Sequence, residues 1–359
     1  MYESQTYEVI LQRMLDRVSN DVDKRAGSVI WDSLAPAAAE LAQMYIELDV
    51  NYNLSFVDTA TGDDLTRKCA EFGVNRESAT KARRKGLFYA SGDVPIDVPI
   101  GSRFSINDVN YVAISKITTG QWTLECEQAG TIGNQEFGAL LPIDYVNNLA
   151  RAELTDILVP GEDEETDDAL RARYYEVVNE PAFGGNISDY KQFINAIDGV
   201  GATKVFPAWN GGGTVKCTII GSDWNPPSAA LINDVQTKVD PVPYGGKGYG
   251  TAPIGHTVTI TGVTAQAINV STTVTLEAGT TAGQVQGPIE DTIDQYLLDL
   301  RKSWATQDQI IVRVALIEAA ILNVTGVIDV ANTTLNGSPA NITLGAEETP
   351  NLGTVVING

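Results

Sequence analysis

Between residues 160 and 220 the apolar spacing passes from helical to strand-like across two runs of glycine, the pattern of a compact α-α-β-β unit with a glycine-rich corner. The stretch reads PGEDEETDDALRARYYEVVNEPAFGGNISDYKQFINAIDGVGATKVFPAWNGGGTVKCTII. Leu170, Tyr174, Val177 and Val178 make one helical stripe, with Thr166 as its N-cap and Asp167 and Asp168 in the first turn, where carboxylates suit the positive end of the helix dipole. Glu180-Pro181 stops that helix, and the turn Phe183-Gly184-Gly185-Asn186 follows. Ser188 is placed to cap a second helix bearing Tyr190, Phe193, Ile194 and Ile197, which Gly199 closes. Two strands then flank Asn210-Gly211-Gly212-Gly213, a hairpin signal because several positions there can take positive φ.

The rest of the chain divides around this stretch. Residues 1–82 read as helical: Val9, Leu11, Met14, Leu15 and Val18 form a first stripe, and Leu34, Leu41, Met44, Tyr45, Leu48 and Tyr52 a longer one. Pro36 fits either a first-turn position or a kink, and a third helix starts near Gly62 with Leu65, Cys69 and Phe72 before Gly73 ends it. Helices this short bury little alone, so their stripes need another domain or another chain. Around residue 83 the period changes to two, and 83–160 reads as a small antiparallel β domain, a sandwich or a barrel.

Residues 161–262 form an α-α-β-β-α-β module, its third helix opening at Pro226-Pro227-Ser228. Residues 263–359 form a second mixed module: a strand over 267–276, a helix over 282–304, and another helix capped by Asp308 that carries Val312, Leu316 and Ile321. The Asn/Thr/Gly-rich tail reads as a C-terminal β hairpin. The expected class is therefore multidomain α+β.

Composition narrows function mostly by exclusion. Lys plus Arg number 24 against 46 Asp plus Glu, a net charge of −22, which argues against a nucleic-acid-binding surface. No apolar run approaches the ~20 residues of a membrane span. The N-terminus, MYESQTYEVILQRMLDRV, lacks the basic and apolar regions of a secretion signal. Cys69, Cys126 and Cys217 are an odd set without a CxxC pair and read as buried thiols.

Reactive constellations are scarce. His256 is the single histidine, so three-histidine metal sites are impossible, and its place after Pro253-Ile254-Gly255 suits a structural role. The acidic run Glu162, Asp163, Glu164, Glu165, Asp167, Asp168 lacks calcium-loop spacing and reads as helix-capping charge on a solvated loop. The loop 245–250, GGKGYG, lacks the GK[ST] of a phosphate loop. Lys81, Arg83, Arg84 and Lys85 form the one basic cluster, either a salt-bridge surface toward an acidic neighbouring copy or an inert face. No catalytic residue, cofactor or metal is expected.

Four ordered landmarks give the chain a family likeness: GE, an acidic run and TDDALRAR; EPAFGGNISDY; VFPAWNGGGTV; and Ala252-Pro253-Ile254-Gly255 before an alternating strand. In these the chain resembles the baseplate J-like family of contractile phage tails and tail-like particles, over roughly residues 25–330. The resemblance implies a non-enzymatic wedge subunit, made in the bacterial cytoplasm and then carried in the tail baseplate. Its implied partners are other copies of itself, smaller wedge proteins and hub- or tube-proximal proteins, in a six-fold ring that rearranges on contraction. Phe183, Gly184, Gly185, Asn186, Trp209, Gly211, Gly213, Pro253 and Gly255 are the family-motif positions, expected to be structural. Leu41, Tyr45, Leu48 and Tyr52 are the expected partner contact. A rival reading is a carbohydrate- or receptor-binding tail module, with an aromatic patch around Tyr111 and Trp122. A second rival, a cell-wall hydrolase, requires a cleft of converging carboxylates.

Overall fold

The computed structural model describes residues 2–179 and 183–358, as a multidomain α+β chain in two compact units. The expected helix stop at Glu180-Pro181 lies outside the described residues.

The first unit joins residues 1–78 to residues 165–180. It contains α1 (Tyr7–Asp16), α2 (Val29–Asn53), α3 (Gly62–Ala70) and α4 (Asp167–Asn179). Thr6 and Ser28 cap α1 and α2 by accepting from the Val9 and Trp31 amides. Ile10, Leu11 and Leu15 of α1 pack on Ala38, with Trp31, Leu34 and Tyr45 around them. Ile10 thus takes the inward place expected of Val9, which is exposed. Pro36 lies inside α2 and not in its first turn.

The other half of this unit is a small core of Ala60, Leu65, Cys69 and Val74 closed by Leu170 and Tyr174 of α4. Arg76 ties it by donating to the Asp167 carboxylate (2.5 Å) and the Glu165 carbonyl (2.6 Å). Arg173 pairs with Glu165. Helix α4, expected to open the 161–262 module, buries its apolar face here instead. Thr166 does cap it, accepting from the Ala169 amide.

The second unit spans 79–164 and 181–359. Its first part holds β1 (Lys81–Ala90), β2 (Val94–Pro95), β3 (Arg103–Ile106), β4 (Val109–Thr118), β5 (Gln121–Ala129), β6 (Gly138–Ala139), β7 (Leu141–Pro142) and β8 (Arg151–Val159). They make one eight-stranded sheet in the order β6-β8-β1-β5-β4-β3-β7, with β2 on β1. Alternate residues such as Phe88, Phe104, Tyr111, Leu124 and Leu154 fill its core. The basic cluster is not a common face. Arg84 is buried and donates to the carbonyls of Gly133, Glu136 and Thr155, while Arg83 and Lys85 pair with Glu125 and Asp156.

The acidic run is likewise put to local use and is not simply solvated. Glu162 accepts from the Gly199 amide at 2.6 Å, its carboxyl pushed up by burial. Asp163 receives both the amide and the hydroxyl of Thr131.

The central part contains α5 (Ile187–Asn195), β9 (Val200–Pro207), β10 (Thr214–Gly221), α6 (Ala229–Val239) and β11 (Thr257–Gly262). Strand β10 lies between antiparallel β9 and parallel β11. Tyr190 and Ile194 of α5, with Leu231, Val235 and Val239 of α6, cover this sheet. The cap of α5 is Asn186, which accepts from the Asp189 amide, and the expected cap Ser188 lies inside the helix.

The last part contains β12 (Thr264–Leu276), α7 (Ala282–Ser303), β13 (Ile311–Val312), α8 (Val314–Leu322), β14 (Val327–Leu335), β15 (Ile342–Thr343) and β16 (Glu348–Asn358). The tail does not form the expected hairpin: β14 and β16 flank β12, antiparallel and parallel to it. Helix α8 starts after Arg313, with Asn341 accepting from the Val314 amide. Asp308 is not its cap, and Val312 belongs to β13.

The central sheet grips the last part through two lysines. Lys204 donates to the Ala346 carbonyl and sits 4.8 Å above the Trp304 ring, while Lys216 pairs with Glu347, which also accepts from Thr218. Burial alone would raise the Glu347 pKa, but Lys216 and Thr218 outweigh it and hold the carboxyl below its usual range. A depressed folded-state pKa contributes stability above the unfolded value, about 4.3, and loses it as pH falls through the folded value. Glu347→Gln is therefore expected to lower the melting temperature at pH 7 and to converge with the parent chain in acid, once the carboxyl is protonated in the folded chain. A deficit of equal size at pH 7 and in acid would show that the ion pair contributes nothing.

Candidate assembly surfaces

Four of the family-motif residues, Gly185, Gly213, Pro253 and Gly255, meet at one corner of the central part although some seventy positions separate the first from the last. A Cβ on Gly185 would lie 2.6 Å from Pro253 Cγ and 3.0 Å from His256 Cε1, so the 183–186 turn rests directly on the 253–256 turn. Gly185 also has φ +85°, which excludes most side chains. The Gly213 carbonyl at the end of the β9–β10 hairpin accepts from the Thr257 amide at 2.8 Å, and the Gly255 amide donates to Gly246. Tyr190 and His256 are hydrogen-bonded through the phenol and Nδ1 at 2.8 Å, with rings stacked. Burial pushes the Tyr190 hydroxyl up.

The loop 245–250 is held as structure. Buried Asp240 accepts from the amides of Gly246 and Val258, and a Cβ on Gly250 would meet the Val239 carbonyl oxygen at 2.2 Å. Asn186 caps α5, Gly184 and Gly211 take positive φ, and Trp209 lies beside Lys216, whose Nζ is 5.3 Å from the ring centre. Around this glycine framework Phe183 and Ile254 stand 84% and 83% exposed, with Val242 and Tyr249 also exposed. Sequence reading marked the glycine turns. It missed Val242, Tyr249 and Ile254, because isolated apolar residues in loops carry no periodicity.

The second surface is on α2. Twenty-five residues at 1.5 Å each make it roughly 37 Å long, and α1, with ten residues, can span only about 15 Å of it. Ala38 is its only buried residue among those described. Of the expected contact residues, Leu41, Leu48 and Tyr52 are exposed, whereas Tyr45 is half-buried and lies 5.6 Å, centre to centre, from the Tyr2 ring. Met44 and Phe56 extend the stripe, and Tyr52 meets Phe56 edge to face at 5.1 Å. Ile46 and Val50, four apart on another face, are exposed too. That second face was legible as an i, i+4 pair.

The Tyr190–His256 pair at the first surface is closed off, since Tyr190 is buried. Among the described residues no group of three His, Cys, Asp or Glu is placed to hold a metal ion, and no helix is long and apolar enough to cross a membrane. Tyr111 and Trp122, on which a sugar-binding patch would depend, are buried in the β-domain core.

A Baseplate J-like central domain matches residues 182–262, and a Baseplate J-like protein C-terminal domain matches residues 268–358. The chain belongs to the baseplate J-like family, which supports a structural role in a baseplate. It is 42% identical to the uncharacterized protein YqbT of Bacillus subtilis (strain 168), with 99% of each chain covered. It is 40% identical to the phage-like element PBSX protein XkdT of the same strain, again over 99% of each. Baseplate protein gp47 of Escherichia phage Mu is 29% identical over 215 residues, covering 57% of this chain and 55% of the phage protein.

Proposed function

We propose that this chain is a wedge subunit of the baseplate of a contractile phage tail or tail-like particle. It associates with copies of itself and with smaller wedge proteins in a ring around the hub, and the ring rearranges when the sheath contracts. Synthesis is in the bacterial cytoplasm, and the working location is the tail baseplate. The observation that carries this reading is α2, whose Leu41, Met44, Leu48 and Tyr52 remain exposed on one stripe. A contiguous apolar surface of this kind marks a protein contact. Family membership supplies the baseplate setting.

Sedimentation of the pure chain, alone and co-expressed with the neighbouring tail proteins of its own particle, tests the proposal. A mass above that of one 38.4 kDa chain, in at least one of the two preparations, is the expected result. A strict monomer that also ignores those neighbours would refute it.

A further inference from the structure

Resting on the wedge reading, we infer that an aromatic cleft in the first unit receives a basic side chain, foremost an arginine, from a different and more basic chain of the assembly. The cleft is lined by Phe56, Phe72, Tyr174 and Tyr175, with Asp58, Glu71 and Lys68 at its rim, and encloses about 440 Å³. Phe72 and Tyr174 meet edge to face at 5.4 Å, and Tyr174 and Tyr175 at the same distance. Tyr174 is fixed by burial, whereas Phe72 is 59% exposed although it follows directly on the buried face of α3. Aromatic faces attract cations through their quadrupole, most strongly guanidinium, which can also stack flat.

Charge selects the occupant. Two carboxylates against one lysine leave the rim net negative, and α2 nearby in sequence carries Asp32, Glu40, Glu47 and Asp49 without a single base. An acidic partner segment would be repelled. A second copy is a poor source of the cation, because the chain is itself at −22 and ties Arg76, Arg83, Arg103, Arg151, Arg171 and Arg173 to its own carboxylates. A seated arginine would lay its guanidinium on the rings and direct its N–H groups to Asp58 or Glu71, a charge-assisted geometry.

The test places the photocrosslinker benzoylphenylalanine at position 175 of the full chain, and separately at position 52 on α2, during particle assembly in a bacterial host. Crosslinked peptides are then mapped by mass spectrometry. The expected product at 175 joins another protein within about three residues of an arginine or lysine. Glu71→Lys should reduce its yield about tenfold and Glu71→Gln less, and Phe72→Ala should also reduce it. A product on a segment without a basic residue, or on a second copy of this chain, overturns the inference. So does silence at 175 while position 52 crosslinks, which leaves the wedge reading standing. Silence at both positions, with the chain missing from particles, removes the wedge reading and this inference with it.

Discussion

The double substitution Leu48→Glu and Tyr52→Glu is expected to remove the chain from assembled particles while leaving its own fold almost untouched. Leu48 and Tyr52 are 47% and 44% exposed on α2, beyond the stretch packed by α1, so the monomer loses little beyond the Tyr52–Phe56 ring contact. Surface changes typically cost within about 0.5 kcal/mol, and an aromatic pair adds about 0.5–1.5. A stability change of about 1 kcal/mol follows. At an interface the same residues would sit in a desolvated centre, where each truncation costs about 2 kcal/mol or more and a buried unpaired carboxylate costs further. Incorporation should fall about a hundredfold or more. Quantitative mass spectrometry of purified particles, beside a thermal melt of the free chain, reads both arms. Normal incorporation with a normal melt would show that α2 contacts nothing.

Arg84→Met is expected to destabilise the β domain strongly. The guanidinium is fully buried and donates to three carbonyls, at 2.8 Å to Gly133, 2.7 Å to Glu136 and 2.8 Å to Thr155, with the Phe137 ring 4.3 Å away. Among the described residues no carboxylate pairs with it, and burial lowers its pKa. Methionine keeps much of the volume but takes the donor from the Glu136 and Thr155 carbonyls and leaves Gly133 with only the Tyr111 hydroxyl, a loss of about 3 kcal/mol. Lysine would not rescue it, since a single ammonium cannot reproduce the planar fork. Hydrogen exchange of amides in β1, β5 and β8 of the full chain should show protection reduced about a hundredfold or more, while Lys85→Met changes little. Equal effects of the two substitutions would mean that the buried cation is not what holds these strands.

The sequence-based expectations held where the physics is local. Period-two alternation marked the β domain that holds β1 to β8, the glycines at 211–213 marked the β9–β10 turn, and Ser228 capped α6 as its position suggests. They failed where the deciding partner is distant. Helix α4 has an ordinary amphipathic pattern, and nothing in it tells that Leu170 and Tyr174 answer Leu65 and Cys69. Strand β16 was taken for half of a hairpin because its true neighbour, β12, lies some eighty residues earlier and runs parallel. Caps slipped by short distances: Asn186 and Ser188 can both accept from an amide, and Asn186 prevails by fixing the 183–186 turn as well. The motif glycines stand out in the sequence as turn signals, but the contact of Gly185 with Pro253 and His256 needed three dimensions.

Residues 79–164 interrupt the helical unit, since Asp167 reaches back to the Gly62 amide across 105 positions. At about 5–20 residues per second, a ribosome finishes α4 roughly 5–20 s after α3. Strands β1 to β8 are all synthesised before that moment, and meanwhile the earlier stretch waits open for its lid. A nascent polypeptide halted before residue 165 would therefore carry Leu65 and Cys69 uncovered, an apolar face open to a holding chaperone.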